Sequence, residues 1–204
     1  GLTVVVQNPE VSVSYGDPQR SPAFVKIGET VPITVSAVEL GTRVSSLTIS
    51  VDGNQVAETN TNYLTYNFVH ANYTVGAHNV KVVGIDTTGS VDSTSFMMFS
   101  NPVIIDAPLP NGLKHGINYT GTTTATLALY APYKDFVYLL GDFNDWKVQT
   151  DYMLNRHVVN SDSVIWWIDL NVSPGTEYAF QYLVDGTIRT DDPYSEKGLD
   201  PWND

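Results

Sequence analysis

The hexamer GDFNDW, from Gly141 to Trp146, directly follows an apolar run that extends from Phe136 to Leu140. Glycine, aspartate and asparagine are the residues that tight turns use, so this pattern predicts a strand that ends in a turn. The turn itself ends on a tryptophan, whose large ring is then expected near the surface. The sequence therefore predicts either a binding site or a packing contact at this turn.

Alternating residues predict that further strands surround the turn. In VIWWIDL, Val164 to Leu170, a period of two puts Trp166 on the apolar face and Trp167 on the face of Asp169. We therefore expect Trp166 in the core. Trp167 is expected on the more exposed face, where it meets a ligand, a neighbouring domain or only its own strand partners. In Tyr178 to Val184 the same period predicts that the aromatic residues form the buried set.

The second half of the chain is predicted to be a β-sandwich. Its strand-forming segments are Gly116 to Tyr119, Thr124 to Tyr130, Phe136 to Leu140, Ser163 to Leu170, Glu177 to Val184 and Thr187 to Thr190. Between the last two segments, Asp185-Gly186 is the dipeptide expected of a tight hairpin. Short strands separated by turn signals, without a helical period, indicate a sandwich.

The first half also reads as short strands. These are Thr3 to Val6, Glu10 to Tyr15, Ala23 to Ile27, Val31 to Val38, Val44 to Val51, Tyr63 to Val69, His78 to Ile85 and Thr94 to Ser100. Turn signals such as Asp52-Gly53-Asn54 separate them. Seven or eight strands at this spacing predict an immunoglobulin-like β-sandwich.

Two stretches of the first half carry a family resemblance. Ser46 to Val51 followed by Asp52-Gly53, and Gly76 to Asp86 followed by Thr-Thr-Gly, resemble the bacterial Ig-like modules found beside extracellular enzymes. The resemblance implies a spacer, an interdomain support or, less often, a ligand-binding module.

A domain boundary is predicted at Asn101-Pro102. The most proline-dense stretch of the chain, Asp106 to Gly112, lies just beyond it. We therefore expect an all-β protein of two tandem sandwiches, an immunoglobulin-like domain at residues 1–102 and a second domain at residues 103–204.

Composition excludes several classes of partner and chemistry. The 204 residues include 22 Asp and Glu but 10 Lys and Arg, a net charge of −12 that repels nucleic acid and anionic lipid. There is no cysteine, so disulfides, a thiolate nucleophile and a cysteine-ligated zinc site are excluded. No apolar stretch approaches the roughly 20 residues of a membrane span.

Four motifs of the second half occur together in one known type of domain. They are LKHGINY at Leu113 to Tyr119, GDFNDW at Gly141 to Trp146, YAFQYLVDG at Tyr178 to Gly186 and DPYSEKGLDPWND at Asp192 to Asp204. In this order they resemble the N-terminal early-set domain of the α-amylase superfamily, glycoside hydrolase family 13. That domain is related to the family 48 carbohydrate-binding modules.

The resemblance implies a function without catalysis by this chain. In those enzymes the early-set domain precedes a (β/α)₈ barrel, which needs roughly 250 residues of its own. The chain is therefore expected to be the N-terminal, non-catalytic region of a secreted or cell-envelope bacterial glucan hydrolase, with the downstream barrel as its partner and α-glucan as a further contact. The alternative is a stand-alone module that binds starch or glycogen. A cell-surface adhesin is disfavoured, since it gives GDFNDW no role.

The resemblance also implies candidate sugar-binding positions. Glycogen-binding family 48 modules use a tryptophan of the GxFNxW-like turn, a lysine before the DG turn and a second tryptophan after it. Trp146 matches the first, whereas Gln181 and Ile188 occupy the other two positions. Tyr194 or Trp167 would have to supply a second platform. Otherwise Trp146 packs against the barrel or the first domain. Trp202 in the closing PWND segment is likewise expected to pack against a partner surface.

No catalytic, metal or cofactor site is expected. A retaining glycosidase needs two carboxylates about 5 Å apart beside a sugar cleft, but strand alternation sends Asp191 and Asp192 to opposite sides. The four histidines are scattered without metal-ligand spacing. A calcium ion at Asp191-Asp192 is the remaining alternative.

Overall fold

The protein consists of two compact units, Gly1–Pro102 and Val103–Asp204. A computed structural model describes residues 1–10 and 22–195. Within these residues the regular structure is β-strand, apart from three short 3-10 helices. The all-β fold of tandem sandwiches expected from the sequence is confirmed. None of the described helices is long and apolar enough to cross a membrane.

In the first unit, the described residues 1–10 and 22–102 form eight strands in two sheets. The strands are β1 Leu2–Asn8, β2 Ala23–Val25, β3 Thr30–Glu39, β4 Val44–Val51, β5 Asn54–Thr59, β6 Tyr63–Val69, β7 Gly76–Asp86 and β8 Val91–Ser100. One sheet has the order β1-β3-β6 and the other β2-β8-β7-β4-β5. Among these described strands the pairing of β2 with β8 is parallel and the other pairings are antiparallel.

The core of the first unit lies between its two sheets. Alternate residues of β3 and β6, such as Val35 and Phe68, face alternate residues of β4 and β7, such as Ile49 and Val82. All four side chains are fully buried. Their burial follows from the apolar periodicity of two that the sequence displays in these strands.

In the second unit, residues 103–195, which the structure describes, form seven strands in two sheets. The strands are β9 Gly116–Tyr119, β10 Thr124–Tyr130, β11 Val137–Gly141, β12 Asn155–Asn160, β13 Ser163–Asn171, β14 Phe180–Val184 and β15 Ile188–Thr190. The sheets have the orders β12-β13-β10-β9 and β11-β14-β15. Short 3-10 helices at Asp142–Asn144 and Thr150–Tyr152 follow β11.

Trp166 is at the centre of the second core. Its side chain is fully buried, and its indole N–H donates to the carbonyl oxygen of Ala131 at 2.9 Å. Across the core, Leu139 of β11 and Tyr182 of β14 come from the other sheet. The prediction that Trp166 is a core residue is confirmed. In the Tyr178–Val184 segment Tyr182 is buried as expected, but Tyr178 and Phe180 are only partly buried. Leu183, which alternation assigned to the other face, is buried as well.

Two strands differ from the sequence prediction. The polar segments Asn54–Thr59 and Asn155–Asn160 were not among the predicted strands but form β5 and β12. Each is the terminal strand of its sheet, where polar side chains are tolerated and the apolar alternation that marks a strand is weak. Residues 11–15 of the strand expected at Glu10 to Tyr15 lie outside the described residues, and so does Trp202, for which a packing role was expected.

Candidate functional site

The Gly141–Trp146 turn is closed by the side chain of Asn144. This side chain is 4% exposed, and its oxygen accepts from the Gly141 amide at 2.9 Å while its nitrogen donates to the Leu139 carbonyl at 2.8 Å. The main chain adds a bond of 3.0 Å from Trp146 N to Gly141 O. Asparagine can make both side-chain bonds because it carries a donor and an acceptor. The turn is therefore internally fixed.

Gly141 is required by the close approach of β14. A Cβ atom at this position would lie 2.5 Å from the carbonyl oxygen of Ala179 and 2.8 Å from the ring of Phe143. Ala179 O accepts from the Asp142 amide at 3.0 Å, so it cannot retreat without loss of that bond. The glycine of the motif thus has a steric origin.

Asp142 connects the turn to the neighbouring strand. One carboxylate oxygen accepts from the indole N–H of Trp146 at 3.1 Å, and the other from the Ala179 amide at 2.8 Å. Ala179 immediately precedes β14, which carries the YAFQYLVDG motif. The two motifs that were separated in sequence by more than thirty residues are therefore joined through one side chain. Sequence reasoning assigned no role to Asp142.

Trp146 is partly buried and has an unusual backbone conformation. Its φ is 57°, in the left-handed region, and that of the preceding Asp145 is 52°. Aspartate tolerates this region, but a bulky side chain rarely adopts it. The tryptophan is thus held at the turn against its local preference, by bonds that Asp142 and Gly141 provide.

Gln181 lies near this turn but is engaged with another residue. It pairs with Leu140 across the β11–β14 ladder, so it is close to the end of β11 where the turn begins. Its side-chain nitrogen donates to Asp191 at 2.9 Å. The amide is therefore partly committed within the chain.

Ile188 does not share a face with Gln181. It pairs directly with Val184 in the β14–β15 hairpin, and paired residues lie on the same face of a sheet. Three positions separate Gln181 from Val184, so strand alternation puts them on opposite faces. The side chain of Ile188 is 48% exposed. The three positions taken from glycogen-binding modules are therefore not assembled on one face.

Trp167 is covered, which corrects the expectation that it lies on an exposed face. It is only 9% exposed, and its indole N–H donates to the carbonyl oxygen of Ala107 at 3.0 Å. The proline-rich segment is not a free linker here: Ala107 N bonds to Arg156 O, and Arg156 N bonds to Ile105 O. Because this segment pairs along β12, Trp167 has no free face for a ligand.

Tyr194 is exposed but lies elsewhere on the second unit. Its side chain is 57% exposed, and its ring centroid is 6.0 Å from that of His115. Its Cβ lies so close to Gly116 that a Cβ on the glycine would be 2.6 Å away. The described neighbours of Tyr194 are therefore residues at the start of β9 and Asp192.

The acidic pair Asp191-Asp192 is used within the chain. Asp191 accepts from Gln181, and Asp192 accepts from the Tyr182 hydroxyl at 3.2 Å and the Tyr194 amide at 2.8 Å. Burial, followed by the negative charge of Asp192, raises the pKa of Tyr182, so this phenol remains a donor. Among the residues that the structure describes, no group of three histidine or acidic side chains could hold a metal ion.

Comparison with known families agrees with the resemblance of the first half. A family model described as Bacterial Ig domain matches residues 9–82. This range lies within the first unit and includes the β4–β5 turn at Asp52-Gly53. The expected similarity to bacterial Ig-like modules is thus confirmed for this part of the chain. No curated protein is similar enough in sequence to match it.

Several solved structures show a weak similarity to this chain. Fibronectin(III)-like modules of Clostridium thermocellum CbhA are 19% identical at a TM-score of 0.34, covering 47% of this chain and 93% of theirs. The mixed-linkage glucan utilization protein SGBP-B of Bacteroides ovatus was solved with a mixed-linkage heptasaccharide. It is 14% identical at a TM-score of 0.37, and the match covers 91% of this chain and 45% of SGBP-B. A pullulanase from Anoxybacillus sp. LM18-11, solved with maltotriose, is 14% identical at a TM-score of 0.31. The pullulanase match covers 85% of this chain and 25% of the enzyme. At these TM-scores the similarities carry no conclusion on function.

Proposed function

We propose that this chain is the non-catalytic accessory region of a bacterial α-amylase-type glycoside hydrolase. In this proposal the second unit is an early-set domain that supports a downstream catalytic barrel, and the bacterial Ig-like unit acts as a spacer or support. The protein would act outside the cytoplasm, in the cell envelope or beyond it, where its polysaccharide substrate is found.

The observation that carries the proposal is the connection between GDFNDW and YAFQYLVDG. Asp142 of the first motif bonds to the Ala179 amide of the second, and Gly141 permits the close approach. These are the motifs on which the resemblance to early-set domains depends. Because residues of both motifs have structural roles, the similarity to early-set domains is supported by the structure of the turn as well as by the amino-acid sequence.

A support role is favoured over glucan binding at this turn. Ile188 lies on the face opposite Gln181, Trp167 is covered, and the Trp146 indole N–H is bonded to Asp142. One partly buried indole offers less stacking area than the several rings on which polysaccharide affinity usually depends. Trp146 is better suited to a packing contact with a further domain.

The coding sequence that follows Asp204 tests this proposal. We expect it to encode a (β/α)₈ barrel of roughly 250 residues or more, with carboxylates at the C-terminal ends of its strands. A stop codon in this position would overturn the support role. The 204-residue chain by itself is expected to release no reducing sugar from starch, and measurable release would contradict its non-catalytic assignment.

The second candidate function is a stand-alone α-glucan-binding module. The position of Trp146 at a surface turn favours it. It predicts that the chain is retarded in native gels that contain amylopectin and that Trp146→Ala abolishes the retardation, whereas Trp146→Phe retains part of it. The exposed tyrosine Tyr119, which is 81% exposed, supplies a matched control as Tyr119→Ala. Equal mobility of wild type and Trp146→Ala would exclude glucan binding at the turn.

A further inference from the structure

Four aromatic side chains form an exposed row on the second unit, away from the GDFNDW turn. They are His115, Tyr130, Tyr133 and Tyr194, here called the aromatic row. The His115 ring centroid is 5.7 Å from that of Tyr130 and 6.0 Å from that of Tyr194. The three tyrosines are 45%, 74% and 57% exposed in chain order. Aromatic surface is seldom left exposed in such a group without a binding function.

Each end of the row is fixed by bonds that leave the rings exposed. Tyr130 donates its hydroxyl to the backbone carbonyl of Asp162 at 2.8 Å, and Tyr133 donates to the carboxylate of the same residue. At the other end, the Tyr194 amide donates to the buried carboxylate of Asp192. The bonded hydroxyls leave Tyr130 and Tyr133 little side-chain entropy to lose when a ligand stacks on their rings, whereas the bonded amide fixes only the main chain at Tyr194.

Tyr133 resembles Trp146 in its backbone. Its φ is 60°, and these two are the only aromatic residues with positive φ in the described part of the chain. A bulky residue in the left-handed region is a genuine outlier, and such strain is found at functional sites. The main chain between β10 and β11 thus holds a ring outward at a cost in local energy.

The charges around the row favour a neutral ligand. The net charge of −12 repels polyanions. One oxygen of the Asp162 carboxylate accepts the hydroxyls of both Tyr133 and Ser161, so this acidic group is already hydrogen-bonded within the chain. The bond to Asp162 also raises the pKa of Tyr133, which keeps the phenol uncharged at neutral pH.

We propose that the aromatic row, formed by His115, Tyr130, Tyr133 and Tyr194, binds a neutral polysaccharide by stacking of its rings on the apolar faces of the sugars. An extended chain suits rings placed in an open row rather than around a closed pocket. The ligand class rests on the proposed function, whereas the location does not. The row uses none of the residues of the Gly141–Trp146 turn.

Native affinity electrophoresis of the full 204-residue chain tests the proposal. The gels contain amylopectin, mixed-linkage β-glucan or xyloglucan, and the variants are Tyr130→Ala, Tyr133→Asn and Tyr194→Ala. Asparagine is chosen at position 133 because it tolerates a positive φ. We expect retardation by at least one polysaccharide, and a loss of affinity of about threefold to tenfold for each variant. Circular dichroism spectra and melting temperatures identify any variant that fails to fold.

Matched controls separate this inference from the proposed function. Tyr119→Ala removes an exposed tyrosine outside the row, and Trp146→Ala removes the turn tryptophan. Unchanged retardation in both controls supports the row. Loss in Trp146→Ala with the row variants unaffected would overturn the row but keep glucan contact by this unit. Absence of retardation in all three gels would also overturn the row, while the support role is decided separately by the sequence after Asp204.

A second copy of the chain is the competing occupant of the row. Sedimentation velocity of wild type and Tyr130→Ala at matched concentrations distinguishes it. A monomer in both cases agrees with the polysaccharide proposal. A wild-type dimer that Tyr130→Ala dissociates, together with no retardation by polysaccharide, would show that the row is a self-association surface.

Discussion

The turn at Asp86–Ser90 in the first unit and the turn at Gly141–Trp146 in the second are built in similar ways. Each follows a strand and is closed by one buried polar side chain. Asp86, which is 1% exposed, accepts from the Thr88 amide and hydroxyl, the Ser90 amide and the Thr42 hydroxyl, all within 2.9 Å. Asn144 makes two bonds to the backbone of its own turn.

The two turns differ in what they present to solvent. Beyond Asp86 the exposed residues are small, and the turn ends in the hairpin to β8. The second turn presents Trp146, with two successive left-handed residues in its backbone. The comparison indicates that closure of a turn by a buried side chain is a structural device common to both units. The presentation of a large ring is particular to the second.

The largest effect is expected when Asn144 is replaced. Asn144→Ala leaves the Gly141 amide and the Leu139 carbonyl without their partner in a buried place. Unpaired buried groups cost about 1 to 3 kcal/mol each, so we expect a loss of about 3 kcal/mol in the free energy of unfolding. Urea denaturation followed by tryptophan fluorescence measures it. All four tryptophans are in the second half of the chain, so this signal reports the second unit.

Asn160→Ala is the matched control for this measurement. Asn160 also accepts a backbone amide, that of Asp162 at 2.9 Å, but it is exposed to water. Its replacement is expected to cost about 0.5 kcal/mol or less. Equal losses in the two variants would show that Asn144 does not close its turn through buried bonds.

A smaller effect, dependent on pH, is expected at Asp86. Hydrogen bonds hold the pKa of Asp86 well below its usual range. The bond from the Thr88 hydroxyl has the largest effect, and those from the Thr42 hydroxyl and the two turn amides add to it. In the unfolded chain an aspartate titrates near about pH 3.9. The unfolded state therefore binds more protons in acid, and the stabilisation present at neutral pH is lost as the pH falls below about 5. The neutral Asn144 gives its turn no such dependence.

Calorimetry of wild type and Asp86→Asn at several pH values measures this dependence. The transition that lacks a fluorescence change is assigned to the first unit. We expect the variant to melt at a lower temperature at pH 7 and the difference to shrink toward about pH 3. The pKa of Asp52 is also lowered: burial raises it, but hydrogen bonds from His78 and the Asn79 amide lower it by more. Asp52 is present in both proteins, so its contribution to the pH dependence of stability is the same in each. A difference that does not change with pH would contradict the role of the Asp86 charge.

The sequence predicted the elements that alternate strongly and missed those that do not. The strands at Tyr63–Val69 and Thr124–Tyr130 have the predicted bounds because apolar residues recur at every second position in them. In the strand at Val44–Val51, which also has the predicted bounds, this alternation holds from Leu47 onward. Strands β5 and β12 escaped prediction because terminal strands bury too little to require that pattern.

Site residues were harder to predict than strands because their surroundings are distant in sequence. Alternation assigned Trp167 to the face of Asp169, but it carries no information that Ala107, sixty residues earlier, covers the indole. Similarly, His115, Tyr130 and Tyr194 meet only through the pairing of β9 with β10 and the path of the chain after β15. The two tyrosines of the Tyr130 to Tyr133 segment could have indicated an exposed aromatic surface, but they belong to none of the four motifs.

The smallest effect is expected from the backbone strain at Trp146, which is separated from the loss of the ring by comparing two substitutions. Trp146→Ala removes a partly buried ring but retains a side chain at φ 57°, whereas Trp146→Gly also relieves the left-handed strain. Relief of this strain is worth about 1 kcal/mol, so the glycine variant should be the more stable of the two in the fluorescence-detected urea titration. The Asp86 turn offers the opposite test, since Gly89 has φ 86° and Gly89→Ala should destabilise the first unit by a similar amount. If alanine and glycine at position 146 are equally stable, the backbone there relaxes freely. The tryptophan would then not be held against its preference, and the strongest distinction between the two turns would be lost.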